Sequence, residues 1–187
     1  LDGGRNKKVL TELGKIMPFG DKNIDIMIES HPDADHIGGL LEVASRYDVG
    51  VFLEPGVESG NKVDDELKRR ISEKKIRSIL ARRGMVINFG DGVRLTILSP
   101  DRDVSNWNTN DASIVAKLEY GENSLLLTGD STKKVENILL GLDKYILNSD
   151  VLKAGHHGSR TSTATAFAAA VSPEYAVISA GKDNSYG

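Results

Sequence analysis

The chain has 187 residues, no cysteine and a formal net charge of −3. The lack of cysteine excludes disulfide bonds and thiolate metal ligands, and the slight negative charge gives no general signature of nucleic-acid binding. No apolar run reaches the roughly 18 residues of a transmembrane helix, and no signal peptide is visible. We therefore expect one domain over residues 1–187, trimmed at both ends, with any metal held by histidine and carboxylate side chains.

The periodicity of apolar residues predicts alternating helices and strands in the first half of the chain. Residues 24–28 are apolar at every second position, as in a strand with one buried face, and Pro18 ends the helical spacing before them. Residues 56–62 are rich in Gly, Ser and Asn, which predicts a mobile loop. The expected elements are, in chain order, a helix over 7–17, a strand over 24–28, a helix near 39–47, a strand over 50–53 and a helix over 63–74.

One stretch of this half, from Ser30 to Gly39, carries two histidines and two aspartates within six residues, namely His31, Asp33, Asp35 and His36. It follows a predicted strand, so we expect it on a strand-to-helix loop at the carboxyl end of that strand, where α/β proteins usually bind ligands. Two carboxylates this close repel each other unless a cation lies between them. The pattern therefore favours a metal site over the alternative, a solvated polar turn that carries histidines by chance.

Residues 68–83 are strongly basic. They hold eight Lys or Arg against one Glu, so the rest of the chain has a charge of about −10 (−3 minus +7). A solvated helix face followed by an exposed strand accounts for such a stretch. The functional alternative is a patch that contacts the phosphates of a nucleic acid, for which Arg69, Arg70 and Lys74 are the candidates.

In the second half, glycine-containing turns separate short apolar segments, which predicts two hairpins followed by alternating helices and strands. Gly90-Asp91-Gly92 forms the first hairpin turn, and Ser131 is a candidate N-cap for the helix after the second hairpin. Residues 101–111 are irregular and rich in Asn, and they hold the single tryptophan, Trp107. The expected elements are strands over 85–89, 93–98, 113–119 and 124–128, a helix over 132–140, a strand over 151–154, a helix over 161–171 and a strand over 175–179.

Two further predicted strands end in potential metal ligands, Asp130 after the second hairpin and the pair His156 and His157 after the strand over 151–154. All four histidines of the chain lie either here or in the first motif. Six or seven nitrogen and oxygen donors exceed what one zinc ion takes, and they suit two divalent ions bridged by a carboxylate, for which Asp130 is the natural candidate. Because the set is rich in oxygen, we expect Mn²⁺ to be accepted as readily as Zn²⁺.

The order of these motifs resembles that of the metallo-β-lactamase superfamily, whose common signature is His-x-His-x-Asp-His. This chain has Asp33 where the second histidine of the signature usually stands. With that substitution, the chain is similar to the carboxy-terminal domain of the ComEC family of DNA-uptake competence proteins. The other motifs that carry this resemblance are Asn110-Asp111-Ala112-Ser113, Leu127-Thr128-Gly129-Asp130, Leu152 to Ser159 and Asn184-x-Tyr186-Gly187.

The resemblance implies an α/β fold, a four-layer αββα sandwich of two mixed β-sheets flanked by helices, with two divalent ions at one sheet edge. In it, Asp2 would support the motif loop from beneath. The implied metal ligands are His31 and Asp33 for one ion, Asp35, His36 and His157 for the other, and Asp130 for both.

The resemblance also implies catalytic roles for Asp35, His156 and Asn110. Asn110 stands about where other members have a third-motif histidine, and Asp111 is the alternative residue to face the metals there. Of the adjacent histidines, we favour His157 as the ligand and His156 as a group that contacts substrate or transfers a proton.

These assignments predict a metal-dependent nuclease in which a metal-bridging hydroxide hydrolyses DNA and so degrades the non-transforming strand during competence. The expected partner is single-stranded DNA. The expected state is a monomeric domain, joined to a membrane only through a parent protein and exposed on the extracytoplasmic face of a bacterial cell membrane. The alternatives are a small-phosphodiester hydrolase on the same scaffold and a DNA-binding module with a weakly loaded metal site.

Overall fold

The structure, a computed structural model, describes residues 1–181 apart from the side chain of Asp143. The chain forms two compact units, one over Leu1–Leu80 and one that begins at Ala81. The motif Asn184-x-Tyr186-Gly187 lies outside the described residues.

The first unit is a parallel three-stranded sheet with three helices. Strand order is β1-β2-β3, and both neighbouring pairs are parallel. Its elements are α1 (Lys8–Ile16), β1 (Asn23–Ile28), α2 (Ala34–Arg46), β2 (Asp48–Glu54), α3 (Lys62–Glu73) and β3 (Arg77–Leu80). The predicted elements of this half are therefore all present.

The core of the first unit fixes α2 against the sheet. Ile37 and Leu40 of α2 are buried with Phe52 of β2 and Leu67 of α3 in one apolar cluster. These α2 positions are three residues apart, which places them on one helix face. Since α2 begins directly after the histidine and aspartate motif, this packing also holds the motif in place.

Helix α2 begins at Ala34, earlier than the predicted start near residue 39. Asp35 and His36 therefore lie in the first helical turn rather than on a loop, which corrects the prediction. Gly38 and Gly39 suggested a later start because glycine lowers helix propensity. They lie inside the helix because another segment packs closely there: a Cβ on Gly39 would stand 2.1 Å from the carbonyl oxygen of Gly3.

The second unit is a mixed six-stranded sheet with two helices among the described residues. Strand order is β4-β5-β6-β7-β8-β9, antiparallel as far as β7 and parallel from β7 to β9. Its elements are β4 (Val86–Gly90), β5 (Val93–Ser99), β6 (Val115–Tyr120), β7 (Asn123–Leu127), α4 (Lys133–Asp143), β8 (Val151–Lys153), α5 (Thr165–Val171) and β9 (Tyr175–Val177). The two predicted hairpins are confirmed.

Helix α4 differs from the prediction at its N-cap. The cap is Thr132, whose hydroxyl oxygen accepts a hydrogen bond from the Lys134 amide at 3.3 Å, whereas the predicted cap was Ser131. Ser131 is fully buried at the end of the preceding turn, where its amide donates to Thr128. The helix packs on the sheet through Leu139, which shares a core with Leu126 and Leu152.

The architecture agrees with the predicted α/β class, since it contains two sheets flanked by helices. The predicted mixed character holds for the second sheet, whereas the three described strands of the first sheet are parallel because helices cross between them. None of the helices between residues 1 and 181 combines the length and apolarity that a membrane span requires.

Candidate metal centre

The first unit brings three predicted ligands together at the start of α2. His31 is fully buried, and its ring centroid lies 4.1 Å from that of His36. One potential ligand atom of each histidine lies within 4.8 Å of the other, and the same holds for Asp35 and His36. Local chain geometry therefore gives His36 both neighbours within reach of a shared cation.

Asp33, the fourth predicted ligand of this motif, is the N-cap residue of α2 but makes no capping hydrogen bond with its side chain. Its Oδ2 lies 3.7 Å from Nε2 of His31, and the side chain is 37% exposed. Asp33 therefore lies beside His31, and the assignment of both side chains to one metal ion stays a prediction.

Asp2 supports this motif through its carboxylate. The Asp2 Oδ1 accepts the Ser30 amide at 2.8 Å, and Oδ2 accepts the Ser30 hydroxyl at 2.7 Å and lies 2.9 Å from Nδ1 of His36. Burial alone would raise the pKa of Asp2, but the hydrogen bonds from His36 and Ser30 outweigh it and hold that pKa below its ordinary value of 3.8. An ionised Asp2 accepts a proton-bearing Nδ1, so the neutral His36 tautomer presents Nε2, the nitrogen suited to a metal.

The N-terminal segment, residues 2–4, is held between β1 and α2 by backbone hydrogen bonds. The Asp2 amide donates to the carbonyl oxygen of Ile28, and the Gly3 amide donates to the carbonyl oxygen of His36 at 2.8 Å. The Gly39 amide donates to the carbonyl oxygen of Gly4 at 2.7 Å. This close approach requires residues without a Cβ at positions 3 and 39. The segment places Asp2 beneath the motif, as the resemblance implied.

The second unit brings Asp130 and His157 together. Asp130 lies in the turn after β7 and is buried, and its Oδ2 lies 3.3 Å from Nε2 of His157. The Nδ1–H of His157 donates to the carbonyl oxygen of Ser179 at 2.6 Å. Since a carbonyl oxygen only accepts, Nδ1 carries a proton, and in the neutral ring Nε2 is then left as the nitrogen with a lone pair.

The neighbouring His156 has different surroundings. Its Nδ1 lies 2.8 Å from the hydroxyl of Thr161, and its ring centroid lies 6.3 Å from that of His157. Both histidines have left-handed backbone conformations, with φ of 45° and 54°, which are strained for residues with a Cβ. The contacts favour His157 as the ligand, although this assignment stays a prediction.

Lys153, to which the sequence analysis gave no separate role, lies beside Asp130. The Lys153 side chain is only 18% exposed, and its Nζ donates to the carbonyl oxygen of Gly129 at 2.5 Å and lies 3.4 Å from Oδ1 of Asp130. Lys153 and His157 therefore hold opposite oxygens of the Asp130 carboxylate. The signal in the sequence was the position of Lys153 at the end of a strand, immediately before the histidine pair.

Asn110 and Asp111 have different surroundings, and which of them faces a metal stays a prediction. The Asp111 carboxylate accepts hydrogen bonds from Asn108 at 2.7 Å, from Lys134 at 3.1 Å and from the hydroxyl of Thr132. Burial alone would raise the pKa of Asp111, but these bonds outweigh it and lower that pKa. By contrast, Oδ1 of Asn110 is buried without a hydrogen-bond partner among residues 1–181, so Asn110 has the acceptor that a cation would need.

Part of the basic stretch is paired with carboxylates, and one of them, Glu66, precedes the stretch and was not in its charge count. Arg69 pairs with both Glu66 and Glu73 on α3, and Arg70 lies 3.3 Å from Glu66. The Nζ of Lys74 donates to the backbone of Tyr47 at 3.1 Å. The role of Arg69, Arg70 and Lys74 in binding nucleic acid stays a prediction.

The chain belongs to the metallo-β-lactamase superfamily, whose family model matches residues 7–182. It is 32% identical over 188 residues to ComE operon protein 3 of Bacillus subtilis, with 97% of this chain and 24% of that protein covered. It is 35% identical over 167 residues to competence protein ComA of Neisseria gonorrhoeae, with 89% of this chain and 21% of that protein covered. The chain therefore spans about a quarter of the length of these relatives, and the predicted resemblance to competence proteins is confirmed.

Solved structures share the fold. The diiron β-hydroxylase CmlA from Streptomyces venezuelae aligns with a TM-score of 0.54 and 16% identity over 86% of this chain and 35% of that chain. The metallo hydrolase Igni18 from Ignicoccus hospitalis aligns with a TM-score of 0.50 and 17% identity over 82% of this chain and 62% of that chain. Proteins of this family typically bind divalent metals, so membership supports a metal-dependent hydrolase.

Proposed function

We propose that the protein is a metal-dependent nuclease that hydrolyses phosphodiester bonds of single-stranded DNA. One of its relatives is named as a competence protein, and its proposed ligand set is rich in oxygen donors. We further propose that it degrades the non-transforming strand during competence. It would do so as the monomeric domain of a longer membrane protein, on the extracytoplasmic face of the cell membrane.

The main observation behind the proposal is that three histidines share one pattern of hydrogen bonding, in which Nδ1 of each ring has a partner in the protein. Nδ1 of His31 lies 3.0 Å from the Ser30 hydroxyl, Nδ1 of His36 lies 2.9 Å from Asp2, and Nδ1 of His157 donates to Ser179. Metal-binding histidines typically use their second ring nitrogen in such bonds, which orient the ring and keep Nε2 as the ligand. The donor chemistry therefore fits a divalent metal.

Two divalent ions, Mn²⁺ or Zn²⁺, suit the proposed donor set. His31 and Asp33 would hold one ion, and Asp35, His36 and His157 the other, with Asp130 shared between them. Bound ions of this kind supply positive charge for the phosphoryl oxygens and an activated water. Asn110, through its buried Oδ1, would add a weaker donor.

The side chains of this protein would complete the reaction. An oxygen of water loses a proton to solvent and forms a bond to phosphorus as the bond to the leaving oxygen breaks, and the leaving oxygen takes a proton. His156 is the proposed donor of that proton, since its ring contacts Thr161 instead of Asp130. Lys153 would hold the Asp130 carboxylate in place throughout.

The test is cleavage of a single-stranded DNA oligomer in Mn²⁺ by the wild type, Asp35→Ala and Asp130→Ala. We expect each variant to lose on the order of 10²–10³-fold in rate, the size of effect seen when one group that stabilises the transition state is removed. Asp25→Ala is the control, because Asp25 is an exposed aspartate on β1. Equal rates in all four proteins would contradict the proposal.

A chromogenic phosphodiester and a lactam are assayed beside DNA as alternative substrates. Faster turnover of the small phosphodiester than of DNA would favour a small-phosphodiester hydrolase. DNA binding without any metal-dependent cleavage would favour a binding module.

A further inference from the structure

An exposed cation lies over an aromatic ring on the second unit, beside the loop that carries Asn110. Trp107 is the single tryptophan of the chain, and its side chain packs partly against the core of the unit. The Nζ of Lys134, in the first turn of α4, lies 3.9 Å from the centroid of the Trp107 ring. The core contacts make the ring a fixed platform, and the cation stands at its face.

A buried carboxylate anchors this cation. The Asp111 carboxylate accepts hydrogen bonds from the side chains of both Lys134 and Asn108. The Asp111 side chain is 7% exposed, whereas the Lys134 side chain is 54% exposed. An ammonium group has three hydrogens. The bond to Asp111 and the contact with the Trp107 ring still leave part of the Lys134 ammonium group exposed to a ligand at the surface.

Two hydrogen bonds connect this region to the Asp130 turn. The hydroxyl of Thr132 donates to Asp111, and the amide of Asp130 donates to the hydroxyl of Ser113 at 3.1 Å. Each bond joins a residue of the loop that follows Trp107 to a residue at or near Asp130. The cation and the ring therefore border the part of the proposed metal centre that the second unit supplies.

We propose that Trp107, Asn108 and Lys134, here called the Trp107 surface, bind single-stranded DNA. Lys134 and Asn108 contact a backbone phosphate, and a base stacks on the part of the Trp107 ring that Lys134 and the core leave uncovered. This inference rests on the proposed nuclease function and names where its substrate lies. Stacking on an aromatic ring tolerates any base, which suits an enzyme that degrades a strand regardless of sequence.

The charge environment favours this surface over the basic stretch of α3. Arg69 lies between two glutamates, so a phosphate there would have to compete with two carboxylates. Lys134 has one carboxylate partner, and its neighbour Lys133 is a second exposed cation. A polyanion therefore meets less competition at the Trp107 surface.

The single tryptophan allows a direct test, because intrinsic emission reports on Trp107 alone. The 187-residue protein is titrated with a fluorescein-labelled oligothymidylate in EDTA, and tryptophan emission and fluorescein anisotropy are recorded together. We expect saturable quenching of the tryptophan that follows the rise in anisotropy. An anisotropy rise without any change in tryptophan emission would overturn the proposal.

Variants separate the phosphate contact from stacking. We expect Lys134→Ala to weaken binding about tenfold and to reduce the slope of log affinity against log salt by about 0.7, the value for one phosphate of a single strand. Trp107→Leu should also weaken binding about tenfold but leave the slope unchanged. Lys144→Ala, at the other end of α4, is the charge-matched control and should change neither quantity.

Lys134→Arg is the control for misfolding, because it retains the positive charge and should retain the slope of log affinity against log salt. If Lys134→Ala and Lys144→Ala have the same affinity for DNA and the same salt slope, Lys134 only holds the loop in place through Asp111, and the proposal is overturned. Hydrolysis of a chromogenic phosphodiester in Mn²⁺ separates the two hypotheses. Quenching without any hydrolysis would support DNA binding at the Trp107 surface and contradict the nuclease function. DNA cleavage without quenching would support the nuclease function and contradict binding at the Trp107 surface.

Discussion

The two units present their proposed ligands in different ways. In the first unit, four donors lie within six residues at the start of α2, so their proximity follows from local chain geometry. In the second unit, Asp130 and His157 come from turns that are far apart in the chain and meet at 3.3 Å. Ligands that lie close in sequence can be recognised from residue spacing. The proximity of Asp130 and His157 instead depends on the sheet that brings the ends of their strands together.

The supports of the histidines differ in the same way. Nδ1 of His36 lies against the carboxylate of Asp2, whereas Nδ1 of His157 donates to the backbone carbonyl of Ser179. Hydrogen bonds to an ionised carboxylate are stronger than those to a neutral carbonyl. A side-chain substitution can remove the first support but not the second, so variants of the two units test different things.

The largest effects are expected from the adjacent histidines of the second unit. His157→Ala should abolish tight binding of one metal ion, because it removes the imidazole that lies beside Asp130. His156→Ala should leave metal affinity within about twofold but slow DNA cleavage by about 10²–10⁴-fold, the usual contribution of a general acid. Isothermal titration with Mn²⁺ and a cleavage assay measure the two quantities. The reverse pattern would exchange the roles of the two residues.

In the first unit, removal of Asp2 should have a smaller effect. We expect Asp2→Ala to weaken metal binding by about 10- to 100-fold, as happens when the partner of a ligating histidine is lost. Asp48→Ala, an exposed aspartate at the start of β2, is the control. Calorimetric metal titration gives both values, and unchanged affinity in Asp2→Ala would show that the carboxylate has no part in holding His36.

Gly39→Ala tests the contact that places Asp2. A Cβ there would meet Gly3 at 2.1 Å, so we expect a loss of about 1–3 kcal/mol in the free energy of unfolding, as for overpacked sites. Gly14→Ala is the matched control, because Gly14 lies in α1 with open space at its Cβ. That substitution should gain up to about 1 kcal/mol from helix propensity. Urea unfolding measures both, and equal stability of the two variants would show that the N-terminal segment does not pack as closely as described.

The smallest effect is expected from the basic stretch of α3. Charge reversal at Arg69, Arg70 and Lys74 should weaken DNA cleavage less than Lys134→Ala does, because nearby glutamates already compensate the two arginines. Hydrolysis of a chromogenic phosphodiester should be unaffected. A larger loss of DNA cleavage than in Lys134→Ala would assign the substrate to α3, and loss of both activities would indicate misfolding.

Much of the fold was predictable because its signals are local. Alternating apolar residues and the Gly90-Asp91-Gly92 turn define a hairpin within a dozen or so residues, and the structure has β4 and β5 there. The start of α2 was not predictable in the same way. Gly38 and Gly39 lie within the helix because residues 2–4 pack against them, and that contact joins distant parts of the chain.

The same distinction applies to the candidate site. The spacing of His31, Asp33, Asp35 and His36 indicated a metal site directly. The environments of Lys153 and Asp111 did not follow from sequence, because each depends on partners from other loops. The charge of the α3 stretch was counted correctly, but the count did not include the glutamate that precedes it, Glu66.

The proposed function requires a centre that holds two divalent ions. Anomalous scattering from crystals soaked in Mn²⁺ tests it most directly, because it gives the number, position and ligands of the ions in one measurement. We expect two peaks per chain, about 3.5–4 Å apart, as in other two-metal hydrolytic sites. The predicted ligands are His31, Asp33, Asp35, His36, Asp130 and His157. A chain with no peak at these side chains, or with ions bound only elsewhere, would contradict it.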